Sequence, residues 1–516
     1  MRLLSVILAF AFGSTLFAAP RVLVFMLDGA RADVMEATAS PTWQMLKENR
    51  WADGYHTAWS LTAGIEPYVC SASAPNHTTI ATGKLAKHHK VFRDPKEFSN
   101  FSHDSTPTWQ DRIGRKFPTL RTAHAFNWAQ DITLSPRFGN YRVIHDSDAI
   151  KNRELVELLK RPDAPGALMV FDDAPDHAGH THRFYPYSNE YLQAVSKAMQ
   201  RLGNLLDAIK ARPSFAEEDW LIVICSDHGG VGKIHYKNSV HCYTVPLLYC
   251  GKNIPEGMMA GRPNNLGIAA NVLRHFGLDA EVAELDDAGD ITIAPQSKPQ
   301  PTSAGLLYDI VVHNGKIVNR AATHSMTAHG NLSLGEDSFN TRNGYITLDE
   351  LKNFKGQAFT FAVTIKCNLA TIVGNPAIFS NKDWRNGENP GFVLFAKRDQ
   401  ILFNTGCENA PVNYVVTSPK RMDLYHILPE TPDEWTMIAF SIESNGLITA
   451  LQKGEKGRQY WFCFDAKGVN IATELDWNIG QDGTGKQQYP APMDIRNVRF
   501  WNRALTLDEL RKLNND

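Results

Sequence analysis

The sequence predicts two folds in one chain: a mainly parallel α/β sheet flanked by helices, followed by an all-β jelly-roll sandwich. Two observations carry this. Up to about residue 290, short apolar runs alternate with helical patterns. Residues 21–27 (RVLVFML), 167–171 (ALMVF), 220–225 (WLIVIC) and 245–249 (VPLLY) are the unbroken hydrophobic runs of strands buried on both faces. Between the second and third, Tyr191, Leu192, Val195, Met199, Leu202, Leu206 and Ile209 recur every three or four residues, which predicts a long amphipathic helix. Strands alternating with helices imply a parallel sheet covered on both sides. Further along, the period changes to two. Phe359, Phe361, Val363, Ile365 and Cys367 alternate with Thr360, Ala362, Thr364 and Lys366, and strand-like runs come next at 391–395, 400–403 and 436–442. Many short strands without helices predict a sandwich or jelly roll.

The 516 residues are ample for two sizeable cores. Residues 295–303 (PQSKPQPTS) have the composition of a linker, so the expected division is 20–294, a linker at 295–303, and 304–516, with the two parts separable. Residues 1–19 are expected to be a signal peptide: Arg2, an apolar stretch over residues 3–12, then small residues including Ala18 and Ala19. The expectation is export to the periplasm or the outside, with no membrane span in the mature chain. Fifty-three basic and 55 acidic residues leave a formal charge of −2, which gives no basis for binding duplex nucleic acid. Seven cysteines without a C-x-x-C exclude a zinc ribbon and a thioredoxin-type motif, and leave disulfides and buried thiols as alternatives.

Chemistry-bearing residues fall just after the predicted strands. Asp28 comes after the first, in LDGARAD. Asp176 and His180 come after another, in DDAPDHAGHTH, and Asp227 and His228 after a third, in SDHGG. His235 and His241 lie shortly beyond. In a parallel α/β sheet the carboxyl ends of the strands open onto one crevice, so separate segments can deliver these groups to one place. Any single Asp there could be a helix N-cap. Three carboxylates with three imidazoles would repel one another or lie unsatisfied without cations. The Asp/His mixture suits zinc, with manganese as the second choice, and six ligands suit two divalent ions.

The run Cys70-Ser-Ala-Ser-Ala-Pro-Asn-His-Thr-Thr-Ile-Ala-Thr-Gly83 predicts a helix, with Pro75 in its first turn and Gly83 at its end. Ser73 then sits at a helix N-terminus, where backbone N–H groups favour an anion. Beside a metal cluster its hydroxyl becomes a candidate nucleophile.

Taken together, LDGARAD, SAPNHTTIATG, PDHAGH and SDHGG resemble the alkaline phosphatase superfamily, and within it the type I phosphodiesterase/nucleotide pyrophosphatase branch, over about residues 21–290. The resemblance implies a two-metal hydrolase of phosphate esters, in which Ser73 attacks phosphorus and forms a covalent phosphoenzyme. It implies Asp28, Asp227 and His228 as ligands of the ion that activates Ser73. Asp176, His180 and a third histidine would hold the other ion. His235 matches the family spacing, although Tyr236 replaces the usual glycine, and His241 is its competitor. Asn76 matches an amide that donates to a phosphate oxygen. The implied substrate is a phosphate-ester small molecule, a phosphorylated glycan or a nucleotide. Sulfatases and phosphonate hydrolases share the superfamily, but His77 stands where the sulfatase C/S-x-P-x-R pattern has arginine. The basic stretch Lys84 to Lys90 is a solvated turn or an anion-attracting rim. In the C-terminal part, the run from Asp494 through Trp501 to Leu505 resembles the last strand and turn of laminin-G-like, concanavalin-A-like jelly rolls. That likeness admits a carbohydrate ligand, with Trp384 or Trp477 as stacking candidates, and a non-catalytic glycan-binding protein as the alternative of a different class.

Overall fold

The computed structural model describes residues 18–65, 71–93, 95–236, 240–294, 300–322, 324–352, 354, 358–397, 400–406, 421–426, 434–444, 446–455, 459–465, 471–489 and 491–514. Residues 1–17 of the leader expected over 1–19, Cys70, Cys407 and most of the proline-rich stretch at 295–303 lie outside them.

The N-terminal part is built on eight strands: β1 (Ala19–Leu27), β2 (His56–Gly64), β3 (Thr122–Phe126), β4 (Asn140–Ile144), β5 (Ala167–Asp172), β6 (Glu218–Cys225), β7 (Thr244–Gly251) and β8 (Gly257–Met258). They lie side by side in the order β4-β3-β5-β1-β6-β7-β2-β8. The five strands from β4 to β6 are parallel. β7 runs antiparallel to β6 and β2 antiparallel to β7. The apolar run at 245–249 is thus a strand, but not one of the parallel set. A parallel return needs a long crossover, usually a helix, and between β6 and β7 the described residues hold only the four-residue helix Val240–Tyr243.

Alternation along the central strands explains their unbroken hydrophobicity. Leu23, Phe25 and Leu27 of β1, with Trp220, Ile222 and Ile224 of β6, face one apolar cluster. Val22, Val24 and Met26, with Leu221, Val223 and Cys225, face another on the opposite side. The helices that matter to the site are α1 (Val34–Ala37), α2 (Pro41–Lys47), α3 (Ser73–Thr82), α4 (Ala174–His182) and α5 (Asn189–Lys210). The long helix is α5, and its buried stripe includes Tyr191, Val195, Met199, Leu202, Leu206 and Ile209.

Two antiparallel sheets make up the C-terminal part. One orders Lys316–Asn319, Leu306–His313, Asp494–Trp501, Phe359–Lys366, Thr436–Ile442, Leu447–Gly454 and Gln459–Asp465. The other orders Met326–Gly330, Gly344–Leu348, Asn478–Ile479, Ala377–Ser380, Phe392–Lys397, Gln400–Gly406 and Arg421–His426. Phe359, Phe361, Val363 and Ile365 point between the sheets with Phe379, Phe392 and Phe403. Trp477 lies in this core against Phe359 and Phe392, and so is not a sugar platform. Trp384 packs on Phe395 and donates its indole N–H to the Asn375 carbonyl. Cys225, Cys242, Cys250 and Cys367 are free thiols.

The other face of the first antiparallel sheet is not open to water. Ala362, Met437, Ala439, Leu451, Trp461 and Trp501 belong to the same apolar cluster as Val34, Met35, Trp43, Leu46 and Leu202 of the N-terminal part. The Trp461 ring lies under the Arg511 guanidinium, which reaches Glu36 of α1 at 3.9 Å. Tyr460 meets Tyr187 edge to face. The two parts therefore share a core, which departs from the expectation that they are separable, because a large apolar interface resists independent motion.

Trp461→Ala is expected to destabilise the protein by about 3–5 kcal/mol, the usual cost of emptying a buried tryptophan site. A chain ending at residue 294 is expected to aggregate. Calorimetry should show one cooperative transition for the full chain; two well-separated transitions, with a soluble fragment 18–294, would contradict this account.

Candidate active site

The parallel strands end close together, and a local device fixes the course of the chain beyond each. After β1 the chain turns through Gly29, at φ +70°, and a Cβ there would lie 2.9 Å from the Cα of Asp176. Glycine is thus required both by the backbone conformation and by the close approach of α4. The Gly29 N–H donates to Asp227 Oδ1 at 3.0 Å, and the Ala30 N–H to Ser226 Oγ at 3.0 Å, so the loops after β1 and β6 hold each other. The Asp28 N–H donates to the Asp172 carbonyl at the end of β5. α4 opens with Pro175 in its first turn, and the four-residue spacing puts Asp176 and His180 on one face, with Oδ2 and Nε2 3.4 Å apart.

The imidazoles share one arrangement. His180 donates its Nδ1 hydrogen to the Lys233 carbonyl at 2.8 Å, His228 to the Gly229 carbonyl at 2.9 Å, and His235 to the Ser71 carbonyl at 2.5 Å. Each ring is thereby held in the tautomer that leaves Nε2 for the centre, as outer oxygen partners do for metal-binding histidines. His228 Nε2 lies 3.2 Å from Asp227 Oδ2 and 3.6 Å from Asp28 Oδ1. His235 Nε2 lies 4.0 Å from Asp176 Oδ1, and its ring stacks on that of His228. His241 is elsewhere, with Nδ1 3.0 Å from the Arg31 guanidinium, so His235 is the histidine that joins Asp176.

One member of the cluster is not evident from the sequence as a site residue. His77 is completely buried, with Nδ1 2.9 Å from Asp131 Oδ1 and Nε2 facing Asp28 and Asp227 at 3.4 and 3.3 Å. Its signal is its place four residues after Ser73, on the same face of α3. Asp28, His77 and Asp227 form one group whose ligand atoms could surround an ion, and Asp176, His228 and His235 form another.

The electrostatics suit cations. Burial, then the repulsion of Asp227 and Asp176, holds the Asp28 carboxyl well above its ordinary value of 3.8. Burial also raises Asp176. Asp227 is pushed up by burial but pulled further down by His228, His77 and the Gly29 N–H. Burial and neighbouring His228 lower His235 to about 2, so its imidazole is neutral. Asp28 Oδ1, Asp176 Oδ1, Asp227 Oδ2 and His77 Nε2 are buried without a hydrogen-bond partner. Buried polar atoms are normally satisfied, and four such atoms in one cluster fit the coordination shell of divalent ions.

Ser73 begins α3, which ends at Gly83 in the left-handed conformation with its N–H on the Thr79 carbonyl. Its Oγ is 3.2 Å from His228 Nε2. Asn76 is buried, and its amide donates to the Ala72 carbonyl at 2.8 Å. That bond closes the first turn of its own helix. Ser71 is tied to His235 twice, its carbonyl accepting from the ring and its hydroxyl donating to the His235 carbonyl. The basic stretch after α3 is a packing element: His88 and the Leu85 N–H bind Asp286, and Lys84 reaches the Glu284 carbonyl.

Carboxylates and imidazoles gathered at strand ends beside a helix-borne serine are the equipment of a phosphoric ester hydrolase. Residues 22–243 match the family model of type I phosphodiesterase / nucleotide pyrophosphatase. Ectonucleotide pyrophosphatase/phosphodiesterase family member 1 of Homo sapiens is 25% identical over 232 residues, covering 41% of this chain and 24% of that protein. Family member 3 of Bos taurus is 24% identical over 230 residues, covering 41% and 25%. The chain thus spans about a quarter of the length of these relatives. The solved structure of murine ectonucleotide pyrophosphatase / phosphodiesterase 5 is 13% identical, covers 54% of this chain and 97% of its own, and has a TM-score of 0.37. No described helix is long and apolar enough to cross a membrane.

Metal removal should make stability depend on pH with a defined sign. Asp28 and Asp176, both raised, keep protons in the metal-free fold that the unfolded chain has already released above 3.8. His77, lifted by Asp131 against the effect of burial, acts in the same direction. His235, lowered, acts the opposite way below its ordinary value of 6.5, so the net fall in stability with rising pH lies above about 6.5, where His77 still holds a proton that the unfolded chain has released. Divalent ions displace those protons and remove the slope. Melting temperatures with chelator and with zinc across this range test it; identical curves would refute a metal centre here.

Proposed function

We propose that this chain is an exported two-metal phosphodiesterase or pyrophosphatase working through Ser73. The supporting observation is the convergence of two ligand sets on one serine: Asp28, Asp227 and His228 beside Ser73 Oγ, and Asp176, His180 and His235 next to them. The neutral imidazoles and acidic oxygens of this set suit zinc. Bound there, divalent cations would neutralise phosphoryl charge and lower the pKa of the serine hydroxyl.

The chain's own groups supply the rest. Ser73 Oγ forms the new bond to phosphorus as the leaving-group oxygen departs, and water then breaks the phosphoserine bond and restores the hydroxyl. The amino end of α3, closed by Asn76, presents the positive end of its dipole to the phosphoryl oxygens. Charge matching favours a singly charged phosphorus centre, such as a diester or pyrophosphate linkage of nucleotide type. A monoester dianion needs a further cation, and the candidates are committed elsewhere. Arg31 is buried on Asp33, the Phe184 and Gly230 carbonyls and His241, while Arg183 caps α4 from an exposed position at φ +85°. A sulfate ester is disfavoured because His77, at the position of the sulfatase arginine, is turned into the carboxylates. Export rests on the basic-then-apolar composition of residues 1–19. The antiparallel part is assigned a laminin-G-like jelly roll, on the run from Asp494 through Trp501 to Leu505.

Ser73→Ala should keep its fold and metal content and lose activity by about three orders of magnitude or more. Ser71→Ala, which removes one of two bonds to His235, should lose far less. The ratio of kcat/KM for bis-nitrophenyl phosphate to that for nitrophenyl phosphate should exceed one. A Ser73→Ala enzyme of normal turnover would overturn the nucleophile, and a ratio well below one the substrate class.

A further inference from the structure

We propose that His77 is a ligand of the ion held by Asp28 and Asp227, with Asp131 as its carboxylate partner. The inference rests on the metal-centre reading above and adds a residue to it.

Three observations converge. First, the ring is oriented for ligation. Nδ1 is 2.9 Å from the fully buried Asp131 Oδ1, which accepts its hydrogen and turns Nε2 inward. A carboxylate on the outer nitrogen is the usual support of a metal-binding imidazole and raises its basicity. Second, the spacings are those of ligands. Nε2 is 3.4 Å from Asp28 Oδ2 and 3.3 Å from Asp227 Oδ2, within ion-pair reach of both but long for a hydrogen bond. A good N–H···O contact would sit at about 2.9–3.0 Å. Ligands about 2.0–2.1 Å from a tetrahedral zinc lie about 3.3–3.4 Å apart along the edges of the tetrahedron. Third, among the described residues the environment offers Nε2 nothing else. His77 is wholly buried, with the Phe171 ring 4.5 Å and the Trp128 ring 6.0 Å from its own. The space between Nε2 and the two carboxylates can be filled by a proton on Nε2 or by an ion, and an ion would also satisfy the free oxygens of Asp28 and Asp227.

His77 would thus hold the ion with Asp28 and Asp227, and Ser73 Oγ lies at the same end of α3, 3.2 Å from His228 Nε2. Because His77 and Ser73 lie on one face of α3, the helix itself registers the nucleophile against the ion.

The test is metal binding rather than turnover. The full-length protein is stripped and titrated with Co²⁺ alone, following visible absorption and stoichiometry. Wild type should bind two ions. His77→Gln keeps an N–H donor near the Nε2 position but is a poor ligand, and it should bind one of the two ions about 10- to 100-fold more weakly, with an altered cobalt spectrum. Asp131→Asn should weaken the same ion by about 10-fold or more. Wild-type affinity and spectrum in His77→Gln would overturn the assignment and leave His77 a hydrogen-bond donor to the aspartates. Should His77→Gln fail to fold, a crystal structure of the zinc-loaded wild type decides. Nε2 within about 2.0–2.2 Å of the ion supports ligation, and a separation beyond about 3 Å refutes it. If wild type itself binds no cobalt, the metal-centre reading fails, which is a distinguishable result.

Discussion

Mutual repulsion among buried carboxylates is the constraint on which the rest of this structure turns. Asp28 and Asp227 are buried and Asp176 half-buried, at the ends of adjacent segments. Like charges so placed cannot all ionise without cations or protons. The parallel strands bring them together, and Gly29 lets the first loop approach α4 closely enough to do it. Four imidazoles, each with one nitrogen fastened to an oxygen, complete the shell. The catalytic proposal and the unsatisfied atoms are two aspects of this one arrangement.

Phe184 connects that shell to the body of the protein. Its buried ring packs edge-on to His180 and Tyr191, and a side chain on either Gly179 or Gly230 would collide with it. The loop beyond it carries Tyr187 to Tyr460 of the antiparallel part. The site therefore rests on one side against the sheet and on the other against the shared apolar cluster, and the C-terminal part belongs to its support.

Much of this is visible in the sequence because strand, loop and ligand succeed one another locally. The runs at 21–27, 167–171 and 220–225 are central parallel strands, and Asp28, Asp176, His180, Asp227, His228 and His235 gather at their ends. The hidden features depend on tertiary partners. The direction of β7 depends on how its connection returns. His77 reads as a helix residue beside the serine, because Asp131, which orients it, is 54 positions away.

The oxygens that orient the four imidazoles come from Asp131, Lys233, Gly229 and Ser71, and the rings they hold come from positions 77, 180, 228 and 235. Only the His228 pair is local in the chain. No short stretch brings these groups together, so under the proposed metal reading the unfolded polypeptide would have little purchase on an ion. Loading would then be a late event in the life of the molecule, one that inspects the finished sheet and fails wherever assembly has gone astray.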